Sequence, residues 1–386
     1  MSKQIYLDYN ATTPLDPKIS DLVEPLHIEN FGNAASSGHQ FGQDAKKLIE
    51  RSRNQIAKGI NCDVNEITFT SGATEAINTA IKGITFASKG KRKHIIAIST
   101  EHKAVIDTCV YLEGRGVQVD YLSVDENGHI SAENINLKIK PETILVVVMH
   151  GNNEIGTIQP ISEIGRVCSE HGVPLLVDAA QTFGKVPIDV RKSNISMLAG
   201  SSHKIYGPKG CGFLYKRSTL RIDPLMHGGG HEMGLRSGTH NVPGIVGMAL
   251  ALQLMEKHRT DENTRLEEYA ALFKDLLTKS GIEFYLNGPE KDRLPGNLNI
   301  CLKGVDADWL TTMIPEIAIA RGSACTSETI QPSHVLRAIG LSDEDANSSI
   351  RISFGRFTTK DEVIRAANLI IKQVNSFIEK KEIMAI

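Results

Sequence analysis

Five short apolar runs constrain the fold of this chain more than any other feature of its sequence. Glu66–Thr70, His94–Ser99, Ile144–Met149, Pro174–Asp178 and Ser196–Gly200 are near-continuously apolar, the pattern of strands buried on both faces of a sheet. Each is followed by a polar or glycine-rich turn and then a helical pattern, which predicts an α/β domain around a mostly parallel sheet. A helix from about Gln40 to Ile60 places Phe41, Ala45, Leu48, Ile49 and Ile56 on one stripe, expected to lie on that sheet. From about Asp261 the rhythm changes to a charged helix, β-like Asn297–Leu302 and Ile317–Ala320, and alternating Ile350, Ile352 and Phe354. A second, smaller α+β domain is expected there. It closes with a helix opened by a capping box, Thr359 with Glu362, whose apolar face is Val363, Ala366, Ala367, Ile370, Ile371, Val374 and Phe377. The expected division is a large domain over 16–260 and a small one over 261–386, to which residues 1–15 return. With 386 residues, 41% of them hydrophobic, the chain can fill both cores.

The charge pattern narrows the partners. Basic and acidic residues number 43 and 45 and are interspersed, for a net charge of −2, so no direct nucleic-acid binding is expected. No run approaches the roughly 20 apolar residues of a membrane span, and the first residues lack the apolar core of a signal peptide. A cytoplasmic setting, off the membrane, is the expectation. The six cysteines, Cys62, Cys109, Cys168, Cys211, Cys301 and Cys325, form no C-x-x-C pair, which argues against a disulfide framework and a tetrathiolate metal site. His227 and His231 flank three glycines that give no rigid ligand geometry, so no resident metal is expected.

In an open parallel sheet, ligands bind outside the carboxyl ends of the strands. The residues that follow the five runs are Ser71-Gly72-Ala73-Thr74-Glu75, then His102, then Asn152-Asn153-Glu154, then Asp178 with Gln181, then Ser201-Ser202-His203-Lys204. One rim thus receives a helix terminus, an imidazole, an amide, a carboxylate and an amine. Pyridoxal phosphate requires these groups: a lysine for its aldehyde, a carboxylate for its ring nitrogen, and backbone N–H groups with hydroxyls for its phosphate. Lys204, Asp178 and the Ser71–Thr74 turn meet the three needs, the turn because it opens a helix whose dipole suits a dianion. Taken singly, the turn is an ordinary helix N-cap and a lysine is a surface charge. Their joint occurrence points to the cofactor.

Cys325 stands apart from the other thiols. Five of the six lie in or beside apolar segments, where cysteine is commonly buried, whereas Cys325 sits in a small, polar stretch from Arg321 to Gln331. That composition predicts an exposed loop, ended by Pro332 at the first position of a helix, and loops on a rigid scaffold are where reactive groups concentrate.

Several motifs together resemble the cysteine desulfurases of the NifS/IscS type, which are class V aminotransferase-like enzymes in the aspartate-aminotransferase-like fold of pyridoxal enzymes. They are Leu7-Asp8-Tyr9-Asn10-Ala11-Thr12-Thr13-Pro14, Ser71-Gly72-Ala73-Thr74-Glu75, Asn152-Asn153-Glu154-Ile155-Gly156, Asp178-Ala179-Ala180-Gln181, Ser202-His203-Lys204-Ile205-Tyr206-Gly207-Pro208-Lys209-Gly210, Gly228-Gly229-Gly230-His231-Glu232, Arg236-Ser237-Gly238-Thr239, Gly322-Ser323-Ala324-Cys325-Thr326-Ser327 and Ser349-Ile350-Arg351. The resemblance implies that Lys204 holds the cofactor, His102 stacks on its ring and moves protons, Asp178 pairs with the ring nitrogen and Gln181 meets the phenolic oxygen. It implies that Ala73, Thr74, Ser201 and His203 hold the phosphate, with Thr239 reaching it from the other subunit of a homodimer, and that Asn153 and Arg351 grip the substrate carboxylate. Cys325 would attack the sulfur of L-cysteine, become a persulfide and release alanine. It would then pass the sulfur to an acceptor protein, with iron–sulfur cluster assembly the leading destination and a transient iron–sulfur ligand role for Cys325 left open. Transfer RNA thiolation, DNA phosphorothioation, a nitrogenase-specific role and selenocysteine lyase activity stay open beside it. Housekeeping members carry a longer tail after the last helix than the residues from Glu379 onward supply. A nicotinamide-dependent dehydrogenase is disfavoured because no G-x-G-x-x-G follows the first strand.

Overall fold

A computed structural model describes residues 4–90, 93–321 and 332–384, with side chains followed to residue 379. Its strands are β1 (Ile5–Tyr6), β2 (Ile67–Thr70), β3 (His94–Ile98), β4 (Gln118–Leu122), β5 (Thr143–Met149), β6 (Leu175–Asp178), β7 (Met197–Ser201), β8 (Gly212–Lys216), β9 (Phe284–Leu286), β10 (Asn297–Leu302), β11 (Ile317–Ala318) and β12 (Ser349–Ser353). Seven form the central sheet in the order β2-β8-β7-β6-β5-β3-β4. All pairings in it are parallel except those of β8, which runs against β7 and β2. The α/β class with a mostly parallel sheet is therefore the one the apolar runs predict. Alternate residues explain why those runs are continuous. Ile96, Ile98, Val146, Val148, Leu175, Val177 and Leu198 enter one apolar cluster, while Ile95, Ala97, Leu145, Val147, Leu176, Met197 and Ala199 enter the cluster on the opposite face.

Helix Gln40–Ile60 is present between His39, whose Nδ1 accepts from the Gly42 N–H, and Asn61 in the left-handed region. Ala45, Ile49 and Ile56 are buried as predicted, but Phe41 is 54% exposed and stacks on Phe31 with ring centroids 5.3 Å apart. The stripe is shorter than its sequence spacing suggested, because the first turn buries Gly42, not Phe41.

Helix Val242–Lys279 is 38 residues long and runs unbroken through positions 260 and 261. Its first half puts Val242, Ile245, Met248, Leu252 and Met255 in the large cluster; its second half puts Leu266, Phe273 and Leu277 in a separate one. That second cluster covers the antiparallel sheet β12-β10-β9 and the parallel pair β1-β11, and Ile5 and Leu7 join it from the amino terminus. The last helix, Lys360–Met384, opens on the Thr359–Glu362 capping box and takes in most of the residues read from the sequence as a tail.

Candidate active site

A cavity of about 470 Å³ opens at the carboxyl ends of the parallel strands. Ala73, Thr74, His102, Asn153, Asp178, Gln181, Ser201, His203, Lys204 and Arg351 all line it. Thr239 does not; it is exposed, three residues after Arg236, whose Nε donates to Glu75 of the cavity wall over 2.8 Å. Cys325 lies outside the described residues.

The anion end is built from backbone. β2 stops at Thr70, and helix Ala73–Ala87 starts after Gly72, whose φ of +154° suits glycine alone. Among the described residues no side chain caps that helix, so the N–H groups of its first turn suit a ligand. A Cβ at Gly212, the first residue of β8, would stand 2.6 Å from the Gly72 Cα; only glycine there lets the turn seat on the sheet. His203 faces the same cavity. Burial pushes its pKa down to about 4, helped by the charges of Lys204, Lys209 and Lys185, so the ring is neutral. Its Nδ1 is 3.0 Å from the Thr12 hydroxyl.

Lys204 ends a 3₁₀ turn, Ser202–Lys204, and its Nζ donates to the carbonyls of Asn10 and Ala11, each over 2.6 Å. Tyr206 follows in the left-handed region at φ 66°. This costly conformation is held by a bond from its N–H to the Thr13 hydroxyl and another from the Arg356 N–H to its phenol oxygen. Asp178, 3% exposed at the end of β6, accepts from the Ala180 N–H over 2.9 Å. Burial raises its pKa, while His102, that N–H and Lys204 pull the other way. Gln181 donates from Nε2 to the Asn10 carbonyl over 2.8 Å, and its buried Oε1 has no partner among the described residues.

His102 caps helix Lys103–Glu113, its Nδ1 accepting from the Ala104 N–H over 3.0 Å. A neutral ring so held carries its proton on Nε2. The fully buried Arg351 donates from Nη2 to Asp8 over 2.6 Å and from Nη1 to the Asn153 carbonyl over 3.2 Å. Its Nε has no partner among the described residues. Asn152, beside Asn153, is structural: its Oδ1 accepts from the N–H groups of Glu154 and Ile155.

Sequence reasoning missed Asn10, Ala11, Thr12, Met149 and Lys209, which also line the cavity. The first three belong to the Leu7–Pro14 motif, which entered the resemblance as a whole without a role for any one of its residues. Residues 322–331 are bracketed by anchors to the site. Before them, Ala320 donates to the Arg351 carbonyl over 3.1 Å. After them, the Ser333 hydroxyl donates to Glu154 over 2.5 Å and His334 Nε2 meets the Glu101 carbonyl at 3.0 Å. Ser333, not Pro332, is where the following helix begins, because its hydroxyl caps the N–H groups of Val335 and Leu336. Of the other thiols, Cys109, Cys168, Cys211 and Cys301 are buried, and burial pushes all five up, to about 11 for Cys301 and about 12 for Cys62, Cys109, Cys168 and Cys211. Inert packing thiols behave this way.

These residues fit pyridoxal phosphate on the structure's own terms. An uncapped helix terminus, a desolvated carboxyl, an orphaned amide oxygen and a lysine amine surround one cavity, and burying such groups is costly unless a ligand answers them.

The aminotransferase class-V family model matches residues 5–365. A cysteine desulfurase IscS of Rickettsia rickettsii is 44% identical over 96% of this chain and 91% of its own length. Among solved structures, a NifS-like protein superposes with a TM-score of 0.89 at 33% identity, over 97% of this chain and 99% of that one. SspA in complex with cysteine gives 0.82 at 38% identity, over 92% and 100%.

Proposed function

We propose, from the premise that this chain belongs to the aminotransferase class-V family and within it to the cysteine desulfurases of the IscS type, that the cavity around Lys204 binds the cofactor and that Cys325 receives the sulfur. A pyridoxal-phosphate-dependent cysteine desulfurase takes sulfur from L-cysteine, and the neighbour SspA in its complex with cysteine supports that substrate here. In this reading Lys204 holds the cofactor's aldehyde, Asp178 its ring nitrogen and Gln181 its phenolic oxygen. The first turn after Gly72, with Ala73, Thr74, Ser201 and the neutral His203, holds its phosphate, joined by Thr239 of the partner subunit in a homodimer. The observation that carries the reading is the convergence of Lys204, Asp178 and the uncapped helix terminus on one cavity.

When bound, pyridoxal phosphate supplies an electron sink for the carbon skeleton of the amino acid. Arg351 and Asn153 grip the substrate carboxylate, with the unpartnered Nε of Arg351 the available donor. The Lys204 amine takes the Cα proton. The Cys325 thiolate attacks the substrate sulfur, an S–S bond forms, the C–S bond breaks, and its electron pair stays with the carbon skeleton, which is protonated to alanine. His102, with its proton on Nε2, serves that proton traffic. The net change balances: L-cysteine and the Cys325 thiol give L-alanine and the persulfide. Chain length supports the reach required. Cys325 is four residues from Arg321, at most about 14 Å when fully extended, and neighbouring Ala320 is bonded to Arg351 of the cavity wall.

The same reading divides the chain into a large cofactor domain over 16–260 and a small domain over 261–386 with 1–15, supported by the two clusters that meet along helix Val242–Lys279. The acceptor we propose is an iron–sulfur assembly scaffold, in the cytoplasm. Among the described residues no helix is long and apolar enough to cross a membrane. Borohydride reduction followed by peptide mapping tests the site: the cofactor is expected on Lys204, and Lys204→Ala is expected to be colourless. A reduced cofactor on any other lysine of the wild-type protein overturns the assignment.

A further inference from the structure

The turn at residues 8–11 touches the site more closely than any role above requires. The Ala11 N–H returns to the Asp8 carbonyl over 3.0 Å, which leaves the Asn10 and Ala11 carbonyls both directed at Lys204 Nζ. Two carbonyls can only accept, so the amine contributes both hydrogens, and at 2.6 Å these are short bonds of the charge-assisted kind. The Asn10 carbonyl is shared, because it also accepts from Gln181. Asn10 is 5% exposed and is held from two sides: its N–H donates to the Ser353 hydroxyl over 2.9 Å, and its Nδ2 donates to the Asn153 carbonyl over 3.2 Å. That second carbonyl is the one that accepts from Arg351.

We propose that Asn10 is a positioning residue: its backbone carbonyl and that of Ala11 form the seat of the Lys204 amine, and its side chain ties that seat to the Asn153–Arg351 pair that receives the substrate carboxylate. The proposal rests on the reading of Lys204 as the cofactor lysine. Its physical content is a short chain of bonds, Arg351 to Asn153 to Asn10 to Lys204, linking the carboxylate grip to the amine that moves the Cα proton. The seat also gives the amine a fixed place whenever it is not bonded to the cofactor. Gln181 shares the Asn10 carbonyl, so a shift of the seat also shifts the amide that meets the phenolic oxygen.

Removing the Asn10 side chain leaves the backbone carbonyl but frees the turn from Asn153. In the cofactor-loaded Asn10→Ala enzyme, the pH midpoint of the cofactor's visible absorbance is expected to move by about half a pH unit or more. The kcat for alanine formation is expected to fall about tenfold, the upper end of the scale of one lost hydrogen bond between neutral groups, with KM for cysteine within about threefold of wild type. Thermal stability alone would not move the absorbance midpoint. Asn10→Ser, whose hydroxyl stops short of the Asn153 carbonyl, is expected to behave the same way, and it decides the matter if Asn10→Ala does not fold. A midpoint and kcat within about twofold of wild type in a folded variant overturn the proposal. Borohydride mapping of the wild-type enzyme, run alongside, separates this failure from failure of the parent reading: cofactor fixed on Lys204 with no effect at Asn10 sinks only the positioning role, whereas cofactor fixed elsewhere sinks both.

Discussion

Glu232 offers the most quantitative test of how the region leading to Thr239 is held. Its carboxylate accepts from Arg53 through both Nη1 and Nη2 at 2.7 Å, from the Phe69 N–H at 2.8 Å and from His240 at 2.6 Å. The residue sits at φ 51° and Met233 beside it at φ 55°, a strained pair that persists because these bonds fix it. Burial alone would raise the pKa of Glu232, but the Arg53 fork and His240 outweigh it and bring the value from 4.5 down to about 2. At ~1.36 kcal/mol per pH unit, that difference corresponds to roughly 3 kcal/mol. Leaving a buried charge without its partner costs about 3–5 kcal/mol, so the two routes agree. Glu232→Gln keeps the shape and takes the buried carboxylate from the Arg53 guanidinium, leaving it only half-exposed Glu50 and the Ile67 carbonyl, and should therefore lose roughly 3 kcal/mol at pH 7. A carboxylate with a lowered pKa contributes stability that is complete above about 4.5 and is lost as pH falls toward 2. The gap between wild type and variant should therefore narrow by roughly 2 kcal/mol on going to pH 3. Guanidinium unfolding of both proteins, at one protein concentration and several pH values, measures it. A gap under about 1 kcal/mol at pH 7, or one unchanged at pH 3, would refute the reasoning.

Cys325→Ser should abolish sulfur transfer while leaving the yellow colour and the cofactor content intact, read as alanine release against absorbance; full turnover would contradict the sulfur-attack step. Gly212→Ala should weaken cofactor retention about tenfold or more, since its Cβ must displace the Gly72 turn; equilibrium dialysis checks it, and wild-type retention would show that the turn tolerates the shift. His150, 9% exposed, has its pKa pushed down to about 4 by burial. A histidine kept neutral in this way favours the fold fully above about 6.5 and loses that contribution as pH falls toward 4. Melting curves of His150→Gln should accordingly fall less steeply than wild type between pH 7 and 5, and parallel curves would contradict the account.

The central sheet was legible because its strands are buried on both faces, and unbroken apolar runs survive any uncertainty about their ends. β3, β5, β6 and β7 emerge within a residue or two of those runs. β4 was not legible: it is an edge strand whose Gln118 is exposed and whose Asp120 pairs with Lys140, so it carries no apolar run. At the site, residues at strand ends were legible because strand ends of a parallel sheet share a rim. The Asn10 turn was not, because its contribution is backbone carbonyls, which every residue has, delivered across some 190 positions by β1 and the Asp8–Ser353 bridge. The double duty of His102 was also invisible, since capping a helix and facing a cavity leave the same single letter.

Two buried carboxyls stand at the ends of β3 and β6, with β5 between them. Glu101, after β3, is 1% exposed and accepts only from the Met149 N–H, with its Oε2 unpartnered. Burial raises its pKa well above the usual range, and the charge of Asp178 adds to the effect. Asp178 is also raised by burial, but His102, the Ala180 N–H and Lys204 pull it the other way. The two carboxyls differ in place: Asp178 lines the cavity and Glu101 does not. A carboxylate is the counter-charge that a protonated ring nitrogen needs, and the proposed pairing of that nitrogen with Asp178 rests on this difference in place.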